Sequence, residues 1–264
     1  MSFLDLQGRH VVVSGVSNKK SIAYKTGVVL RSEGAKVTWL VHSESRRDEL
    51  RAILAPDRIV VCDVEDEAQV AMLENEVNEP VSGLVHAIAF ANYEGGPRPF
   101  HETRRADYLQ AVQTSSFSLV EMARALAPWF EPRASVVTVS ISTTRMAAEN
   151  YGYMAPVKAS LESNLVFLAK SFSRFSEVRF NAVAPGLLKT RSAAGIPGYA
   201  DSYLYAEKVI PRGRGVAVDE VASAIAFLLS PRSSGINGQV VVIDAGMSFN
   251  YFDRDLVSRA LRGD

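Results

Sequence analysis

Seven short runs of β-branched and aliphatic residues, separated by longer stretches with helical spacing, decide what this chain can become. The runs are Val11 to Ser14, Lys36 to Val41, Arg58 to Cys62, Leu84 to Ala89, Ser135 to Val139, Arg179 to Val183 and Gln239 to Ile243. Most are apolar throughout, as expected for strands covered on both faces. Between them, Ala111 to Phe130 and Ala159 to Phe175 carry apolar residues at intervals of three and four, the spacing of an amphipathic helix. Strand–helix alternation predicts an α/β fold: a doubly wound, seven-stranded parallel sheet with helices on both faces and ligands at the carboxyl ends of the strands. No repeat, linker or low-complexity segment divides the 264 residues, so one domain is expected over 1–264.

Composition narrows the function classes. Lys plus Arg and Asp plus Glu both number 29, so bulk charge offers no hold on nucleic acid. The single cysteine, Cys62, cannot form an internal disulfide, which fits a reducing compartment. The histidines His10, His42, His86 and His101 have no metal-ligand spacing, and no metal is expected. The N-terminus lacks the apolar region of a signal peptide, and no apolar run approaches the roughly 20 residues that span a bilayer. These features predict a cytoplasmic protein with no membrane or nucleic-acid partner.

The first strand leads into "VVVSGVSNKKSIAYKTG", a strand–turn–helix pattern suited to a Rossmann dinucleotide site. Gly15 stands in the turn, but the further glycines of the usual fingerprint are missing. Ser21, Ile22 and Ala23 open the helix instead. Ser21 suits a phosphate beside free backbone N–H groups, or it simply caps the helix. After the third strand, Asp63 is placed to accept from an adenine amino group or to cap a helix, with Val64 beside it. After the fourth, small residues at Ala87 and Ala89 leave room for a ribose or serve close packing. After the second come His42, Ser43 and Glu44, then Arg46 and Arg47. The arginines could grip a 2′-phosphate or start the next helix as solvated charges, so the reading leans to NADPH and leaves NADH open.

The stretch "YGYMAPVKAS" from Tyr151 to Ser160 carries the most specific chemistry. Together with Gly15 to Ala23, "CDV" at Cys62 to Val64, "HAIAFAN" at His86 to Asn92 and "SSFS" at Ser115 to Ser118, it resembles the type I enoyl-[acyl-carrier-protein] reductases, a divergent branch of the short-chain dehydrogenase superfamily. That branch spaces its tyrosine seven residues before the lysine, and Asn150, Tyr151 and Lys158 to Glu162 fit the pattern. The resemblance implies reduction of the 2,3 double bond of an enoyl thioester with NADH or NADPH, in fatty acid synthesis. It assigns Tyr151 to the enolate oxygen, Lys158 to the nicotinamide ribose, Ala91 to the substrate, and Ile88, Leu188 and Thr190 to the cofactor. Hydride goes to the β-carbon while charge builds on the more distant thioester oxygen, so the donor must stand elsewhere than in a carbonyl reducer. Pro156 fits the first turn of the helix that follows, which puts Tyr151 at or just before the helix start. Tyr153 reads as structural.

The carbonyl-reducing members place a tyrosine four residues before the lysine and a serine thirteen before that tyrosine. Those positions hold Met154 and Ile141, neither of which donates a proton, while Ser140 and Ser142 are offset. Two departures from the resembled family are the same Ile141, where that family carries a second tyrosine, and "APGLLKT" after the sixth strand. They keep two alternatives open: a divergent dehydrogenase acting on another carbonyl or hydroxyl substrate, and a catalytically silent nucleotide-binding protein. The irregular segment at about 190–215 is expected to cover the substrate, with a short helix near Asp201 to Lys208. Lys189, Arg191, Arg212 and Arg214 could dock the acidic acyl carrier protein or be ordinary surface charge. The resemblance also implies a homotetramer, with Gln239 to Ala245 buried either between subunits or within one.

Overall fold

The structure, a computed structural model, describes residues 2–94, 96, 98–142, 144–147, 151–196, 198–250 and 252–262. Asn150, Pro197, Tyr251 and the side chain of Arg191 lie outside the described residues. The strands are β1 (His10–Ser14), β2 (Lys36–Val41), β3 (Arg58–Val61), β4 (Val81–His86), β5 (Phe130–Val139), β6 (Arg179–Pro185) and β7 (Val240–Ile243). They form one sheet in the order β3-β2-β1-β4-β5-β6-β7, every neighbour parallel. The chain runs outward from β1 to β3 and then returns to β4, so a crevice opens where β1 and β4 lie side by side.

The helices are α1 (Ile22–Ser32), α2 (Glu44–Leu54), α3 (Glu67–Glu76), α4 (Arg105–Val112), α5 (Ser118–Leu126), α6 (Met154–Phe172), α7 (Arg191–Ala194), α8 (Tyr199–Val209), α9 (Val218–Leu229) and α10 (Arg254–Arg262). Successive strand residues point to opposite faces and so build two cores. Val12, Leu40, Leu84, Val136 and Phe180 pack with Leu73 of α3, Met122 of α5 and Leu161 and Leu165 of α6. Val11, Val13, Trp39, Val85 and Val137 pack with Leu30 of α1, Leu54 of α2 and Ile225 of α9. Strands with a core on each side need apolar residues at every position, which is why they read as unbroken runs. Among the described residues no helix is long and apolar enough to cross a membrane.

Several expected bounds move. The helix expected from Ala111 begins at Arg105, and Gln113–Phe117 forms a π-helical turn between α4 and α5. The first turns of α4 are mostly exposed and lack an apolar stripe, and the wider turn breaks the 3.6-residue period. At the other end, Trp129 and Phe130 continue the apolar spacing, but they pair with Val81 in the sheet. The strand expected over Leu84 to Ala89 runs from Val81 to His86, and the small residues after His86 peel away from the sheet. The helix expected from Ala159 starts five residues earlier at Met154, with Pro156 in its first turn, where its missing N–H costs nothing.

Candidate active site

The crevice at the carboxyl ends of the strands holds one cavity of about 850 Å³. Twelve of the residues singled out from the sequence line it: Gly15, Ser21, Ile22, His42, Asp63, Val64, Ile88, Ala91, Tyr151, Lys158, Leu188 and Thr190.

At the β1 end the turn requires Gly15. Its φ is +87°, and a Cβ there would stand 2.1 Å from the carbonyl oxygen of Ala87. Main chain therefore passes against main chain, with no room for a side chain between them. Ser21 caps α1: its Oγ accepts from the Tyr24 N–H at 3.2 Å and donates to the Asn18 carbonyl at 2.8 Å. Asp63 caps no helix. That task falls to Asp66, which accepts from the N–H groups of Ala68 and Gln69 at the start of α3. The Asp63 Oδ1 instead accepts from the Glu65 N–H at 3.0 Å. His42 is exposed at the end of β2. The two arginines divide. Arg46 lines the cavity, donates from Nη2 to the Ser17 carbonyl at 2.8 Å and pairs through Nη1 with Glu49, whereas Arg47, off the cavity, pairs with Glu44 and Asp48.

At the other end Lys158 is buried one turn after Met154. Its Nζ donates to the carbonyls of Val139 at 2.8 Å and Ile88 at 3.1 Å. Burial pulls its pKa down to about 7, against the opposing charge of Glu162. Beneath it, the His86 ring lies between Thr138 Oγ1 at 2.8 Å and Ser118 Oγ at 2.9 Å. Burial, with the Lys158 charge second, lowers the His86 pKa to about 3, so the imidazole is neutral. Tyr151 stands three residues ahead of α6, half-buried. Burial raises its phenol pKa, and proximity to Tyr93 adds to the effect. Its hydroxyl has no hydrogen-bond partner among the described residues. Tyr153 is structural, as expected: its Oη accepts from the Asn92 N–H at 3.0 Å and donates to the Asn92 carbonyl at 3.2 Å.

Three contributors escaped the sequence reading. Ser115, in the π-helical turn, accepts from the Phe90 N–H at 2.8 Å and donates to the Phe90 carbonyl at 3.0 Å. Tyr199 grips Leu188 in the same reciprocal way, and Tyr93 lines the cavity beside Tyr151. The sole signal for Ser115 was its place in "SSFS"; the two tyrosines sit in irregular segments where no period points to a face. Of the four basic residues considered for docking, Arg212 is held by Glu220 through two bonds of 2.7 Å, and Lys189 lies 4.4 Å over the Tyr203 ring. The Arg212 guanidinium also holds the Glu220 carboxyl down to about 2. Both cations are committed to local structure.

A family model described as enoyl-(acyl carrier protein) reductase matches residues 15–248. The NADH-dependent enoyl-[acyl-carrier-protein] reductase FabI of Enterococcus faecalis is 32% identical over 247 residues, 92% of this chain and 98% of that one. The NADPH-dependent FabI of Staphylococcus aureus is 33% identical over 251 residues, with 92% and 98% covered. The crystal structure of the NADH enoyl-[acyl-carrier-protein] reductase of Aquifex aeolicus superposes with a TM-score of 0.89 at 29% identity, covering 94% of this chain and 99% of that one.

Proposed function

This chain belongs to the enoyl-(acyl carrier protein) reductase family, and from that premise we propose that it reduces the 2,3 double bond of an enoyl chain carried by acyl carrier protein in fatty acid synthesis, with NADH or NADPH. The observation that carries the reading is the pairing of Tyr151 and Lys158 on one cavity at the seven-residue spacing, with the Tyr151 hydroxyl unpaired among the described residues.

The cavity suits a dinucleotide. Gly15, Asp63 and Lys158 line it, and they would hold the cofactor: Gly15, without a side chain, would let a phosphate come close to main chain, the Asp63 carboxylate would accept from the adenine amino group, and the buried Lys158 would donate to ribose hydroxyls. When bound, the nicotinamide supplies the hydride. The chain's own task is to hold the thioester carbonyl and steady the negative charge that builds on its oxygen as the β-carbon is reduced. Tyr151 donates a hydrogen bond to that oxygen, an interaction worth about 2.7–4 kcal/mol in the transition state. Its raised pKa keeps it a phenol, and hence a donor, across the neutral range. Net addition places one hydride at C3 and one proton at C2.

Carbonyl reduction at the same carbon would need donors at the two positions where Ile141 and Met154 stand. Both line the cavity, and neither has a proton to give. The segment at 190–215, which contains α7 and α8, serves as the substrate cover. The protein acts in the cytoplasm as a homotetramer; the exposed Val166 and Phe167 on α6 and Val242 on the edge strand β7 support association between copies.

The test offers NADH and NADPH in parallel with a 2-enoyl thioester and a 3-ketoacyl thioester. Oxidation of cofactor with the enoyl substrate alone is expected. Tyr151→Phe should lower kcat about 100- to 1,000-fold while cofactor binding is spared. Turnover of the ketoacyl substrate, or cofactor binding with no oxidation on either, would overturn the reading.

A further inference from the structure

Five tyrosines surround the substrate end of the cavity and its cover, and their hydroxyls are used differently. Tyr153 is spent on both backbone groups of Asn92, and Tyr199 on both backbone groups of Leu188. Tyr203 lies under the Lys189 ammonium. Tyr93 and Tyr151 both line the cavity, and neither hydroxyl has a hydrogen-bond partner among the described residues.

The loop that carries Tyr93 is held with care. Lys158 takes the Ile88 carbonyl at 3.1 Å, Ser115 takes both polar groups of Phe90, and Tyr153 takes both of Asn92. Asn92 Nδ2 donates to Asp107 at 3.2 Å, and Arg104 in turn donates to Asp107 at 2.7 Å. The next residue, Tyr93, lays its ring edge against Gly152: a Cβ built on that glycine would stand 3.9 Å from Tyr93 Cε1. The ring thus rests on the residue between Tyr151 and Tyr153. Two tyrosines from two segments, their hydroxyls without a partner among the described residues, line one cavity.

We propose that Tyr93 is a second hydrogen-bond donor to the substrate, sharing the thioester oxygen with Tyr151. This rests on the enoyl reductase reading and deepens it. A developing oxyanion has lone pairs for two donors, and two preset donors in a site screened from water stabilise it more than one. Burial holds the Tyr93 phenol up at about 12, so it remains a donor wherever the enzyme works. Ile141 lines the same cavity and offers nothing polar, which leaves Tyr93 as the partner for Tyr151.

The experiment is Tyr93→Phe, which keeps the ring on Gly152 and removes one oxygen. Expected is a fall of about 10- to 100-fold in kcat/KM for a 2-enoyl thioester. The Kd for NADH or NADPH, measured by fluorescence, should stay unchanged. In combination with Tyr151→Phe the loss should be smaller than the product of the two single losses, because both donors act on one oxygen. A purely structural tyrosine would instead shift cofactor affinity and melting temperature and combine multiplicatively. Wild-type turnover that survives Tyr93→Phe within about twofold overturns the inference alone. A wild-type protein that binds cofactor and reduces no enoyl thioester overturns the reading beneath it, and the inference falls with it.

Discussion

The Tyr199 hydroxyl closes both backbone hydrogen bonds of Leu188, accepting from its N–H at 2.7 Å and donating to its carbonyl at 2.9 Å. Tyr199 opens α8, in the segment proposed as the cover, and Leu188 follows β6. The resemblance assigns Leu188 to the amide of the cofactor, a group that also offers a donor and an acceptor. A cofactor amide held there would have to displace the Tyr199 hydroxyl from these two backbone groups. Removing the hydroxyl with Tyr199→Phe frees them, at about 0.5–1.5 kcal/mol for each bond lost. The variant should bind NADH or NADPH roughly 5- to 160-fold more tightly, measured by fluorescence titration. Weaker binding would mean that Tyr199 supports the bound state instead.

Arg46 sets the second prediction. Its guanidinium reaches from α2 to the Ser17 carbonyl at 2.8 Å and lines the cavity at the end of β2, where Arg47 does not. A 2′-phosphate at this corner would meet a charge already held in place. Arg46→Ala should cut kcat/KM with NADPH about 10- to 100-fold and alter that with NADH little. Steady-state rates with the two cofactors give the ratio directly. Equal losses would make Arg46 a strut between α2 and the β1 turn, with no part in cofactor choice.

Gly15→Ala should be the most damaging single methyl group at the site. The residue has a φ of +87°, and the added Cβ would overlap the Ala87 carbonyl oxygen at 2.1 Å. Left-handed backbone alone costs about 1–3 kcal/mol for a residue with a side chain, and here the β1 turn and the β4 loop must also part. Loss of cofactor binding with a lowered melting temperature is expected, read by fluorescence and by thermal denaturation. Unchanged cofactor affinity would show that the close approach of main chain at Gly15 has no part in binding.

Much of this arrangement was legible because residues at strand ends declare themselves. Unbroken apolar runs such as Val11 to Val13 and Val240 to Ile243 pointed to the sheet, and whatever follows such a run must face the crevice. Gly15 and Asp63 were picked out by that rule, whereas Ile88, Leu188, Tyr151 and Lys158 came from the resemblance to the enoyl reductases. The rule has no purchase on residues brought in by loops or by irregular helix. Ser115 faces Phe90 only because a π-helical turn rotates it, and no period in the sequence reports such a turn. Tyr93 and Tyr199 reach the cavity through tertiary contacts with Gly152 and Leu188. The choice between cap and ligand for Ser21 was likewise undecidable from sequence, because both roles use the same hydroxyl at the same helix end.

Lys158 ties the fold to the chemistry through pH. Burial lowers its pKa from 10.5 to about 7. Between those values the unfolded chain keeps the proton on this lysine and the folded chain gives it up. The unfolded state then binds more protons, so stability must rise with pH across that window, and this contribution levels off above it. Lys158→Met removes the titration, so wild-type stability should gain on the variant as pH rises from about 7 to 10, followed by denaturant melts of the protein without cofactor. Cofactor affinity should run the other way. The ammonium that donates to ribose is present below about pH 7 and lost above it, so wild-type Kd for NADH should rise through that point while the variant's stays flat. Opposite slopes from one side chain are hard to obtain from a general pH effect. Parallel slopes in both experiments would mean that the carbonyls of Val139 and Ile88 hold the ammonium charged throughout, and that Lys158 does not titrate near neutral pH.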